Sequence, residues 1–289
     1  MPSDNLLEKV KKLRELTGVG FKDCKSAIDE NNGNIEKSIE YLRKKGIAKA
    51  NKKMERVAAE GLVCIYEQDN KFSMIEINTE TDFVAKNNEF INFAEEVSKL
   101  ALTKSGKIED ILISEMANKK RVKDNLIDLI SKIGEKITLR RCAFIGADKS
   151  VNFSYMHSKL KKNVGKLGVL LSLQTTKSKN KILDLGKQLA MQVAASSPLA
   201  IDKKGLDQNI LQKEKEIITE ELKNSGKDSR IIDNIAIGKL NKFVSENTLL
   251  DQEWIMEPKK KVKDILKGAA GEDKIEIKKF IRFKVGEGV

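Results

Sequence analysis

Few side chains in this sequence have the types and spacing that bond-making chemistry needs. His157 is the only histidine in 289 residues, so neither a Ser-His-Asp triad nor a histidine-ligated zinc site has its parts. Cys24, Cys64 and Cys142 are far apart and odd in number. No pair of them has metal-ligand spacing, and the pattern suits free thiols in a reducing compartment better than a disulfide frame. Gly18-Val19-Gly20 runs into Phe-Lys-Asp, which is no dinucleotide fingerprint, and no GxxxxGK[ST] occurs to cradle phosphates. Carboxylates are too numerous for one pair to stand out. The expectation is a non-enzyme without a cofactor or a metal.

What remains is a set of side chains at a change of periodicity. Over Thr79 to Phe90, TETDFVAKNNEF, an alternating apolar run gives way to a helical pattern, so a strand meets a helix there. By spacing alone Asp82 is an N-cap, and Phe83 is the first residue of the buried stripe Phe83, Phe90, Ala94 and Val97. Phe83 as an exposed side chain offered to a partner is the competing reading. His157, near Tyr155 on a strand, reads as a packed or edge residue before it reads as a contact.

The elements that must hold this corner are legible in order. Leu6, Val10 and Leu13 share a helix face, and Thr17 to Gly20 ends that helix. Phe21, Cys24, Ala27 and Ile28 give a second, stopped by Asn31-Asn32-Gly33, residues that tolerate positive φ. Asn34 caps a third through Ile35, Ser38, Ile39 and Leu42. Arg43 to Arg56 holds seven Lys or Arg against one Glu and reads as a basic, solvated linker. Gly61 to Ile77 predicts two strands around an Asp-Asn turn. Helical segments follow at Ile108 to Ala117 and Lys120 to Ile133, then a strand at Lys136 to Gly146. The second half repeats the scheme in diverged form, with strands at Asn152 to His157 and Leu167 to Leu173 and a helix at Lys181 to Ala195. Leu206 to Leu222 and Asp228 to Val244, joined by a turn at Asn224-Ser225-Gly226, predict a helical hairpin with a thin apolar seam at Ile210, Ile217 and Ile218.

Composition narrows the partners. Charged residues make up 34% of the chain, aromatic residues 5%, and the net charge is +12, a balance that suits an acidic protein or nucleic acid. Lysines are dispersed among Asp and Glu, so direct nucleic-acid binding is not expected. A basic ribosomal accessory protein is the rival reading. No apolar run approaches the ~20 residues of a membrane span, and the first residues lack a signal-peptide core, so a cytoplasmic protein is expected.

TDFVAKN after a strand and a short turn resembles the signature of translation elongation factor Ts, the nucleotide exchange factor of the GTPase elongation factor Tu. TGVGFKDCKSAIDENNGNIEKSIEYLRKKG is similar to that family's N-terminal module, and KIGEKITLRR to its first core half. SYMH, GVLL, AMQVAA, WIMEP and FIRFKVGEG look like segments of the second. The resemblance implies an α+β fold: an N-terminal three-helix ubiquitin-associated-like bundle, a core of two related α+β subdomains with antiparallel sheets, and an inserted antiparallel helical hairpin. The expected divisions are 1–55 for the helical module and basic linker, 56–146 for the first core subdomain, 147–205 with 246–289 for the second, and 206–245 for the arm. Longer relatives continue into a C-terminal helical module, so the resemblance implies one contact fewer for this sequence. As partner it implies GDP-bound elongation factor Tu, without nucleic acid or membrane, and it allows a homodimer or a 2:2 complex. In the family the Asp-Phe pair is the probe. Phe83 would then wedge into the partner's G domain and Asp82 would disturb its Mg²⁺ and phosphate surroundings, with Thr81 and Val84 shaping the corner. Lys11, Arg14 and Phe21 would dock the first module on the nucleotide domain, and His157 would contact the partner from the second half.

Overall fold

Asp69 and Asn70 both sit in the left-handed region, at φ 50° and 61°, the pair of positive angles that a two-residue type I′ turn requires. Strand β1 (Glu60–Gln68) therefore folds straight back on β2 (Lys71–Thr79), with Gln68 opposite Lys71 and Glu60 opposite Thr79. Strand β3 (Ile137–Ile145) pairs with the free edge of β2 and begins opposite Thr79 at Ile137. The computed structural model describes residues 3–146, 149–223 and 229–289.

The second half is built alike. Strand β4 (Val151–Lys161) and β6 (Ile275–Lys284) flank β5 (Val164–Thr175), all antiparallel. The two three-stranded sheets join where Val63 and Cys64 of β1 pair with Gly165 and Val164 of β5. Alternation of side chains gives each strand an outward and an inward set. Inward, Val63, Ile65, Phe72 and Met74 pack with Met156, Leu170 and Phe283 of the other half. A Cβ at Gly168 would stand 2.7 Å from Val63 Cγ1 and 2.8 Å from Met74 Sδ, so the halves meet as closely as they do because this residue has no side chain.

Outward, Leu62, Cys64, Ile75 and Ile77 take helix α5 (Asn88–Thr103), whose Phe90, Ala94, Val97 and Ala101 are fully buried. Helix α6 (Ile108–Ile113) and α7 (Val122–Ile133) complete that layer, and α7 stops at Gly134, φ 89°. On the other half, Phe153, Val169 and Leu171 pack against α8 (Leu183–Ser196) and α11 (Val262–Ala270).

The N-terminal bundle comprises α1 (Ser3–Thr17), α2 (Phe21–Glu30) and α3 (Ile35–Lys53) around Val10, Leu13, Cys24, Ala27, Ile28 and Leu42. Asn34 caps α3, its Oδ1 accepting from Lys37 N at 2.9 Å. The stretch expected as a solvated basic linker is instead mostly the second half of α3. Its cations meet acceptors on the first core half: Arg43 pairs with Asp124, and Lys53 donates to the Gly134 carbonyl at the end of α7. Ala50 joins the core beneath.

Helices α9 (Gln208–Lys223) and α10 (Ser229–Asn247) form the expected arm; the expected turn at Asn224-Ser225-Gly226 lies outside the described residues. The seam differs from the expectation. Ile218 and Leu222 are buried, whereas Ile217 is 60% exposed and Ile210 is also exposed, because one residue along a helix turns the side chain by ~100°. Leu206 and Val244, with Leu211 and Phe243 against them, close the base of the arm over Ala200.

Candidate partner-docking corner

Pairing of β2 with β3 ends at Thr79, and the chain turns within two residues. Thr81 has extended backbone, φ −123° and ψ 156°, and its hydroxyl oxygen accepts from Val84 N at 3.5 Å. It is Thr81, not Asp82, that caps the helix. That helix, α4 (Asp82–Ala85), is a single turn, and Asn87 opens α5 anew by accepting from Glu89 N at 2.8 Å and Phe90 N at 3.4 Å. The restart breaks the helical register between Phe83 and Phe90. Phe90 is fully buried, whereas Phe83 is 81% exposed, so Phe83 is not the first residue of the buried stripe that its spacing suggested. Ala85 is buried beneath it, and Val84 packs partly against the core of the first half.

Asp82 turns to Lys86 Nζ at 2.7 Å. This hydrogen bond holds its carboxyl below the ordinary value, against an opposing effect of desolvation; the charges of Lys86 and of Lys166 add to it. The backbone beneath is held by acids from both sides. Glu135, just past Gly134, accepts from Thr79 Oγ1 at 2.9 Å, from Thr81 N at 3.0 Å and from Thr81 Oγ1 at 2.7 Å. Glu80 accepts from Lys136 N at 2.6 Å and from Arg56 Nη1 at 3.2 Å. Its carboxyl also lies below the ordinary value: burial works against this, and the Lys136 amide and Arg56 outweigh it.

The exposed ring borders an open groove with Val84, Asn87, Glu89, Lys132 and Ile133. Lys132 pairs with Glu89, and its stem lies so near the turn between α1 and α2 that a Cβ on Gly18 would stand 2.9 Å from Lys132 Cε. The N-terminal module thus abuts the groove. Lys11, Arg14 and Phe21 are all exposed on that module, Phe21 at 43%. Val10 and Leu13 of the same helix are buried in the bundle.

His157 lies in the other half. It is exposed on β4, with Nδ1 3.0 Å from Tyr155 Oη, and it lines a cleft with Tyr155, Lys166, Met191, Ile255 and Arg282. Lys166 pairs with Glu60 across the junction of the sheets and contributes to the field at Asp82. Module, corner and cleft therefore follow one another through Lys132 and Lys166, although His157 does not touch the corner itself. Sequence reasoning missed Lys132, Ile133, Glu135 and Lys166. KIGEKITLRR was the available signal for the first three, because that segment reads as the junction of a helix end and a strand that borders β2.

Chemical groups elsewhere are quiet. The three cysteines are free, with burial pushing the Cys64 thiol up to about 12 and the Cys142 thiol up to about 11, which removes thiolate reactivity near neutral pH. Among the described residues no group of three or more His, Cys, Asp or Glu side chains is placed to hold a metal ion, and no helix is long and apolar enough to cross a membrane.

Comparison with known proteins places this helical module and helix-flanked antiparallel sheet in the class of translation elongation factors. The sequence model of the family described as Elongation factor TS matches residues 80–287, from the corner to just past the last strand. Elongation factor Ts of Methylorubrum extorquens (strain PA1) is 42% identical over 283 residues, covering 97% of this chain and 92% of that protein. Elongation factor Ts of Maricaulis maris is 39% identical over 285 residues (97% and 91%), and that of Bartonella quintana 42% over 285 residues (97% and 92%). The chain belongs to the elongation factor Ts family.

Proposed function

We propose that this protein binds elongation factor Tu carrying GDP and speeds GDP release, so that GTP can take the vacated site, in the cytoplasm and without chemistry of its own. The observation that carries this reading is Phe83, a large apolar side chain 81% exposed on a turn pinned from both flanks. A side chain placed in this way contributes little to its own fold and much to a partner that covers it. The wedge is Phe83. Asp82, beside it, brings a carboxylate to the region where the GTPase holds Mg²⁺ against the β-phosphate, and displacing the groups around that metal weakens nucleotide binding. Thr81 and Val84 set the direction of the pair. Lys11, Arg14 and Phe21 grip the nucleotide domain from the N-terminal module (1–55), while His157 and its cleft take a second contact.

Binding of factor and nucleotide must then oppose each other reciprocally, by one coupling free energy. Capture of purified elongation factor Tu by the immobilised chain should fall as GDP is added and recover when GDP is removed. Capture that is indifferent to GDP would overturn the reading. Capture that falls steeply with salt instead, and is matched by ribosomal RNA, would favour the basic accessory-protein alternative.

A further inference from the structure

Beyond the last ladder pair of β2 and β3, Thr79 opposite Ile137, no backbone partner remains for the amides of Thr81 and Lys136 across the gap. Two carboxylates replace the ladder, and they do so reciprocally. Glu135 accepts from Thr81 N, and Glu80 accepts from Lys136 N. Glu135 does more than close this gap. Its other oxygen, Oε1, accepts a hydrogen bond from the Thr81 hydroxyl at 2.7 Å.

That hydrogen bond matters because a hydroxyl has one hydrogen to give. With the hydrogen committed to Glu135, the lone pairs of Thr81 Oγ1 are left for the Val84 amide, and this is the cap of α4. A helix of four residues cannot sustain itself through its own hydrogen bonds, since nucleation is unfavourable and propagation has no length to act on. The cap therefore sets the direction of Asp82 and Phe83 together with the burial of Ala85 and the packing of Val84, and Glu135 holds the cap. Glu135 is itself held firmly: it follows Gly134, where α7 ends, and precedes β3.

We infer that Glu135 is the positioning residue of the exchange wedge, acting through Thr81 to fix the direction of Phe83 without touching the partner's nucleotide. The inference rests on the reading of Phe83 given above. It deepens that reading by naming the group that makes an exposed ring rigid.

The test uses the full chain and purified elongation factor Tu loaded with fluorescent GDP, with release followed against factor concentration. Glu135→Ala should lower the maximal release rate roughly tenfold while the half-saturating concentration moves by no more than about twofold, because the docking surfaces stay in place. Glu135→Gln keeps one acceptor oxygen and should recover part of the loss. Thr81→Val removes the hydroxyl with Glu135 intact and should reproduce the loss, which keeps the inference testable if Glu135→Ala fails to fold. In the Phe83→Ala background, Glu135→Ala should slow release no further, since residues acting as one unit are not additive. Parental maximal rates in both Glu135→Ala and Thr81→Val, or losses that multiply with Phe83→Ala, would overturn the role of Glu135 and leave the wedge standing. Parental release by Phe83→Ala itself would instead overturn the wedge, and this inference with it.

Discussion

Phe83 and Phe90 are the same residue type seven positions apart, and truncating each in turn separates an exposed ring from a core ring within one segment. Phe90 is fully buried, so Phe90→Ala should cost roughly 3–5 kcal/mol. At about 2–4 °C per kcal/mol for a chain of this size, its melting temperature should fall by about 10 °C. Phe83 is 81% exposed. A phenylalanine that buries ~200 Å² when fully covered has about a fifth of that covered here, ~40 Å², worth no more than ~1 kcal/mol. The rest, ~160 Å², is available to a partner and is worth up to ~4 kcal/mol, a ceiling near 1,000-fold in an equilibrium or rate that depends on it. Phe83→Ala should therefore melt within about 3 °C of the parent yet release GDP from elongation factor Tu far more slowly. Thermal melting by circular dichroism and fluorescent-GDP release, run on both variants, give the two readouts. The reasoning is refuted if Phe83→Ala melts as low as Phe90→Ala, or if it melts like the parent and exchanges like it too.

Replacing residues 208–243 by a short Gly-Ser linker should keep the fold and at least part of the exchange activity, because the ends of the arm are already adjacent, with Leu206 packed near Val244, and loop length adds little entropy cost; unfolding on removal would show that the arm holds the core together. Glu76 is fully buried and accepts from Arg140 at 3.0 Å, Arg141 at 2.5 Å and Gly286 N at 3.0 Å. Glu76→Ala should cost about 3 kcal/mol, the low end for breaking a buried pair because both arginines keep some access to water; a melting temperature within 2 °C of the parent, by about the same conversion, would contradict this.

Local chemistry was legible wherever one or two residues decide the backbone. Asp69-Asn70 announced the hairpin and Gly134 the end of α7, each through a positive φ that few other residues adopt at little cost, and Asn34 announced the cap of α3 through its side-chain acceptor. The corner was legible as a corner, but not its break: Asn87 restarts the helix and so detaches Phe83 from the stripe that its spacing fits, and a period of seven survives such a restart on paper. The basic stretch after Leu42 misled for a different reason. Two of its cations, Arg43 and Lys53, are matched by Asp124 and the Gly134 carbonyl, some eighty residues later, and no local window contains those partners. The joining of the sheets through Val63 and Gly165 is equally non-local. Among the expected site residues, those on the corner emerged together. Glu135 lies within KIGEKITLRR, but its contacts to Thr79 and Thr81 arise only on folding.

The continuous α3 changes what kind of delivery device this protein can be. Nineteen helical residues at ~1.5 Å each make a rod of roughly 28 Å, anchored in the bundle at one end and at the close of α7 at the other. A flexible tether in that place would let the module land on a partner while the ring wandered through a large volume, and each encounter would then require a second search. With a rod, the docking proposed above for the module would fix the reach and bearing of the ring beforehand, and its local concentration at the target would be governed by fit and not by diffusion of a tail. Lengthening α3 by a few residues would accordingly do more harm than lengthening a loop, since it would rotate as well as displace the module relative to the ring.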